Sequence, residues 1–172
     1  NEMLSLAKLD VNENKLNLSP RNISKIIESM LLMFDAVIYE NEINLESDIT
    51  KDIFINGHQE SIKKLFSIIM DNAIKHTNKN GKITVSLLLD KNKIKMIIKN
   101  TGEGIPSEHL EKIFERFYKV DKSRSFDVKG AGMGLYLVKT IIELHGGNVA
   151  ARSEFGEYTE FIFQLPLEWL KL

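Results

Sequence analysis

Residues 82–89 and 93–100 are two strand-like runs joined by the polar turn Asp90-Lys91-Asn92, and together they read as one antiparallel hairpin. The hairpin sets the frame, because the rest of the chain must pair with its edges or cover its apolar face. Helical periodicity appears three times. Ile23, Ile26, Ile27, Met30, Leu31, Phe34, Val37 and Ile38 form one apolar stripe after the start signal Ser19-Pro20-Arg21-Asn22. Ile62, Leu65, Phe66, Ile69 and Ala73 form a second stripe that ends near Thr77. A third helix is expected from about Ala131 to His145, stopped by Gly146-Gly147. Short strands are expected at 43–49, 52–55, 148–153 and 159–165, and an edge strand at 15–18. Residues 106–130 are charged and lack strand pattern, so a short helix at 107–113 and then a long loop are expected there. Strands and helices do not alternate regularly, which argues against a doubly wound parallel sheet. The expected fold is α+β: a two-layer α/β sandwich, with a mixed, mostly antiparallel sheet of about five strands and three helices on one face.

Composition narrows the function. Of 172 residues, 43% are apolar and 27% charged, as in ordinary globular proteins. A net charge of -1 gives no general attraction to nucleic acid or anionic membrane, and no nucleic-acid partner is expected. The chain has no cysteine, which excludes disulfides and thiolate metal sites. No apolar run approaches the roughly 20 residues of a membrane helix. The opening Met3-Leu4-Ser5-Leu6-Ala7-Lys8-Leu9 reads as the tail of a helix that began earlier, in a longer protein.

Three stretches carry chemistry. In Asp71-Asn72-Ala73-Ile74-Lys75-His76-Thr77, Asn72 and Lys75 lie on one helix face. An amide oxygen suits Mg²⁺ when phosphates supply the other ligands, and a lysine suits phosphate. In isolation the heptapeptide fits better a solvated face with an Asp71–Lys75 ion pair. Asn100-Thr101-Gly102-Glu103-Gly104-Ile105-Pro106 ends a strand in a glycine turn able to approach a ligand, or simply to turn. Lys129-Gly130-Ala131-Gly132-Met133-Gly134-Leu135 places glycines before a helix, where backbone N–H groups and the helix dipole attract phosphate. It matches neither the dinucleotide fingerprint nor the Walker pattern. Between the last two stretches, Phe114, Phe117 and Tyr118 are able to anchor a loop, and Arg116, Lys119, Lys122 and Arg124 are candidate phosphate contacts. The plainer alternative is a charged surface loop.

In this order the stretches resemble the N, G1, F and G2 boxes of the catalytic, ATP-binding domain of bacterial sensor histidine kinases, the Bergerat-fold ATPases. The likeness extends from about residue 19 to 166, and residues 1–10 resemble the end of the family's dimerisation helix. Residues 11–172 would then be the catalytic domain. The resemblance implies Asn72 as the ligand of Mg²⁺, Lys75 as a phosphate contact and His76 beside the adenine. Asn100, Gly102, Gly104 and Ile105 would form the base pocket. Phe117, Tyr118 and Lys119 belong to the lid side, with Lys119 reaching the γ-phosphate. Gly130, Gly132, Met133, Gly134 and Leu135 would cradle phosphates. Implied partners are ATP with Mg²⁺, a histidine-bearing dimerisation domain of the same parent, and a response regulator. The parent would be homodimeric and membrane-anchored, with this portion cytoplasmic.

Several positions depart from the family pattern. Asn100 stands for an Asp, which implies kept adenine specificity and weaker binding. Ile68 stands for the water-activating Glu of hydrolytic relatives, so direct ATP hydrolysis should be poor. Tyr158 and Glu160 replace a Gly and a Thr, and the phosphoacceptor segment is missing. The other readings are a serine kinase or ATPase of the same superfamily, or a degenerate nucleotide-sensing or interaction module.

Overall fold

The computed structural model describes residues 16–120 and 132–167. Its elements are β1 (Ser19–Asn22), α1 (Ile23–Glu40), β2 (Asn44–Ile49), β3 (Phe54–Gly57), α2 (Gln59–His76), β4 (Lys82–Asp90), β5 (Lys93–Thr101), α3 (Gly134–Leu144), β6 (Asn148–Glu154) and β7 (Tyr158–Pro166). The expectations placed on Lys15, the helix tail at 1–10, Lys122, Arg124 and Gly130 lie outside the described residues.

Period-two alternation makes the two layers. Ile83, Val85 and Leu87 on β4, Ile94, Met96 and Ile98 on β5, and Phe161, Phe163 and Leu165 on β7 are all buried. They meet Ile23, Ile27 and Met30 of α1, Phe66, Ile69 and Met70 of α2, and Leu137, Val138 and Ile141 of α3 in one core. Each such side chain contributes about 1.5–3 kcal/mol on burial, so packing holds these helices more than propensity does. The five-stranded sheet runs β2-β4-β5-β7-β6. Only β2 and β4 pair in parallel; the other three ladders are antiparallel. The α+β sandwich expected from the sequence is the fold observed.

Two local expectations are corrected. Residues 16–18 form no strand; the strand is Ser19–Asn22, where a helix start was expected, and it pairs with β3. Pro20 is tolerated because this two-stranded ribbon is all edge. The helix start moves to Asn22, whose Oδ1 accepts from the Lys25 N–H at 3.1 Å while its Nδ2 donates to Asp52. In place of a helix at 107–113 there is a single 3₁₀ turn, Ser107–His109, followed by irregular turns.

Candidate functional site

Ile68, Asn72 and Lys75 are spaced by four and three residues on α2, so they share one face. Asn72 is half-buried and Lys75 exposed. Among the described residues the Asn72 amide has no hydrogen-bond partner, and Asp71 and Lys75 form no ion pair. The Asp71 carboxyl is instead raised above its ordinary range by partial burial, with Lys64 drawing it back. The start of α3 lies against the same face: a Cβ on Gly134 would stand 3.2 Å from Ile68 Cγ2. The isoleucine that replaces an acid therefore forms the apolar floor of the glycine turn opening α3.

Strand β5 brings the next group to the C-terminal end of α2, beside Lys75. Its inward face reads Ile94, Met96, Ile98, Asn100, so an amide occupies what would be the next core position. In the ladders Asn100 lies between Ile83 and Thr159. The chain then turns at Gly102, where a Cβ would come within 2.1 Å of the His76 carbonyl oxygen, so only glycine fits against the end of α2. Thr77 and Gly102 form an isolated bridge at this junction. His76 Nδ1 stands 3.6 Å from a Glu103 carboxylate oxygen. The Ile105 N–H donates to Ser153 Oγ at 2.7 Å, and that hydroxyl donates to the Tyr158 carbonyl at 2.6 Å. The Gly102 N–H donates to the Glu157 carbonyl at 3.1 Å. The glycine turn after β5 is thus fixed on one side by α2 and on the other by the β6–β7 turn.

The aromatic segment closes the ring. Phe114 is buried and packs edge-to-face on Phe161 of β7 at 6.1 Å. Phe117 does not act as an anchor. It is 57% exposed, in left-handed backbone at φ 63°. Its main chain, not its ring, makes the contact. The Phe117 N–H donates to the Gly132 carbonyl at 3.1 Å, and a Cβ on Gly132 would lie 2.8 Å from the Phe117 carbonyl carbon. The Tyr118 hydroxyl and the His109 ring are hydrogen-bonded. Lys119 is half-buried. The Arg116 guanidinium lies over the Tyr136 ring at 4.9 Å, and both line a cavity of about 380 Å³ that involves neither Asn72 nor Asn100.

The four motifs are therefore contiguous through named contacts, with Gly134 on Ile68, Gly102 on His76, and Phe117 on Gly132. Tyr158 and Glu160 alternate with the inward Thr159 and Phe161, so both point to the sheet face away from the helices; Lys99 covers Tyr158 at 4.1 Å. Sequence reasoning missed Ser153 and Thr159, which position the turn and neighbour Asn100. The signal was present in the alternation of β7, which puts Thr159 on the inner face. No group of three or more His, Cys, Asp or Glu able to hold a metal occurs among the described residues.

Residues 57–168 match the family of histidine kinase-, DNA gyrase B- and HSP90-like ATPases, and the chain belongs to that family. Within it, the chain is the ATP-binding catalytic domain of a sensor histidine kinase. The sensor protein SrrB of Staphylococcus aureus is 31% identical over 166 residues, which is 96% of this chain and 28% of that protein. The chain thus spans 28% of the length of this curated relative. The catalytic domain of the histidine kinase ThkA is similar in structure, with a TM-score of 0.75 at 27% identity, covering 88% of this chain and 97% of that one. A mycobacterial sensor histidine kinase, MprB, has the same fold (TM-score 0.73, 24% identity, 88% of this chain and 98% of that one).

Proposed function

We propose that this domain binds Mg-ATP at the ring of contacts just described and donates the γ-phosphoryl group to a histidine on a separate dimerisation domain of its parent. The supporting observation is the convergence of Asn72, the turn after Asn100 and the start of α3 on the C-terminal half of α2. No side chain among the described residues caps α3, whereas Asn22 and His58 cap α1 and α2. Uncapped first-turn N–H groups from Gly134 and Leu135, with Gly132 and Met133 before them, suit phosphate oxygens. Gly130 belongs to the same proposal.

A magnesium ion would be held by the Asn72 oxygen and phosphate oxygens; its chemistry is to neutralise phosphate charge. The fit is good, because among the described residues Asn72 offers a half-buried, unpartnered amide and no carboxylate cluster competes for the ion. Lys75 and Lys119 add positive charge toward the phosphates. His76, Asn100, Gly102, Gly104 and Ile105 shape the base end, with Phe117 and Tyr118 on the lid side. In the transfer, a P–N bond forms to the acceptor imidazole as the bond from the γ-phosphorus to the β–γ bridging oxygen breaks; ADP leaves, and the imidazole gives up its N–H proton to solvent. The loose transition state needs positioning and charge neutralisation more than covalent help. Ile68 offers no base to activate water, which disfavours an ATPase. Tyr158 and Glu160 face away from the site, which removes one reason to regard the domain as degenerate.

By the same reading, residues 11–172 form the catalytic domain, and the assignment of residues 1–10 to the dimerisation domain lies outside the described residues. The parent is a membrane-anchored homodimer, with this portion cytoplasmic, that passes phosphate to a response regulator. ThkA has been seen in complex with the response regulator TrrA. No helix among the described residues is long and apolar enough to cross a membrane.

The test combines binding and transfer. Asn72→Ala should weaken Mg-dependent ATP binding by about ten- to a hundredfold, the scale of a lost charge-assisted contact, with circular dichroism unchanged. Labelled ATP should mark a separately supplied phosphoacceptor helix while leaving this chain itself almost unlabelled. Unchanged titration of the variant, or strong acid-labile labelling of the chain alone, would contradict the reading.

A further inference from the structure

Asn100 is the only polar residue on the helix-facing side of β5 and is 2% exposed. Its Nδ2 donates to the Thr101 carbonyl at 3.1 Å. That bond identifies which amide atom is nitrogen, since an oxygen facing a carbonyl would be repelled. One N–H is thereby used. The second N–H and Oδ1 have no partner among the described residues. No fully sealed side-chain oxygen or nitrogen among the described residues lacks a partner, so Oδ1 is reachable from outside. A side chain this buried with an open hydrogen-bonding edge is built to be completed by a ligand.

We propose, resting on the nucleotide reading above, that Asn100 makes the base subsite tolerant of 6-oxopurines, so that hypoxanthine and guanine nucleotides bind alongside adenine nucleotides. A carboxylate at this place would only accept hydrogen bonds, holding a 6-amino group and repelling a 6-oxo group. The amide carries both functions on neighbouring atoms. Oδ1 accepts from a 6-amino group, and the second N–H donates to a 6-oxygen. Each base therefore finds one matching partner on the amide, and no charge at this position penalises the wrong one. The expectation from sequence that adenine specificity is kept rested on the acceptor alone.

The test is calorimetric titration of the whole chain with the magnesium complexes of ATP, ITP and GTP. Hypoxanthine differs from adenine at the 6-position without the 2-amino group of guanine, so ITP isolates the contact to Asn100. The ITP-to-ATP ratio of dissociation constants should stay within about tenfold, and Asn100→Asp should raise it by at least about tenfold while holding or tightening ATP. A wild-type ratio above about a hundredfold overturns the proposal, whether or not the variant folds. So does an unchanged ratio in a folded Asn100→Asp chain. Failure of all three nucleotides to bind would instead overturn the nucleotide site itself, and the proposal with it.

Discussion

The two ends of the α2–α3 pair are built on opposite principles. At one end His145, 5% exposed, joins the helices. Its Nε2 accepts from the His58 N–H at 3.0 Å, and its Nδ1–H donates to the Ile141 carbonyl at 2.7 Å. That pair of bonds fixes the tautomer, because the ring must accept at one nitrogen and donate at the other. With Ile23, Ile62, Leu65, Met96, Ile142 and Leu165 it lines a small apolar space. At the other end, about 20 Å along α2, stand Asn72 and the start of α3, the one with an unpartnered amide and the other uncapped among the described residues. One end satisfies its polar groups internally and holds the helices together. The other keeps donors and acceptors open, so its stability is borrowed from the first. The helices are rigid enough to carry open polar groups because they are tied elsewhere.

Breaking the closed end should have the largest effect. His145→Ala removes an acceptor from the part-buried His58 N–H and leaves a cavity, costing about 3 kcal/mol in urea unfolding. Affinity for ATP in the folded variant should change by less than about threefold, because the site is distant. A large affinity loss with intact stability would reverse the assignment of the two ends. Asn72→Ala is the mirror experiment, with binding lost and stability kept.

Acid probes the same end more gently. Burial holds the His145 imidazole below its ordinary value near 6.5, His58 pushes the same way, and the Ile141 carbonyl opposes them. The unfolded chain therefore takes up a proton that the folded chain refuses. This contribution is whole above about pH 6.5 and drains as pH falls toward the depressed folded value, by at most about 1.4 kcal/mol per pH unit. Urea midpoints between pH 7.5 and 5.5 should fall in the wild type and less steeply in His145→Ala. Parallel slopes would remove His145 as the cause.

At the open end the smallest change is expected from Lys75→Gln. An exposed lysine acting on phosphate through solvent should be worth about threefold in ATP affinity, less at high salt. A salt-independent loss of a hundredfold would mean that Lys75 makes a direct, desolvated contact.

Much of this was legible in the residues. The stripe from Ile62 to Ala73, the hairpin around Asp90-Lys91-Asn92 and the glycines at 102 and 132 are local patterns, with periods of 3.6 and 2 or a need for close approach. Such patterns fix an element wherever it is later packed, which is why the fold class and the order of the motifs could be read directly. Other features depend on which distant segment lies alongside. Ser19–Asn22 becomes a strand because residues 54–57 pair with it. Phe114 anchors and Phe117 does not because Phe161 faces one ring, while the backbone of Gly132 takes up the other residue's main chain. Ile68 looks like a lost acid until Gly134 is seen above it, and the open edge of Asn100 exists only because neighbouring strands bury its flanks. The sequence by itself determined the elements and their chemistry, since those follow from short-range sterics and periodicity. Tertiary structure alone decided which polar groups are satisfied within the protein and which are left for a ligand, because that depends on neighbours tens of residues away.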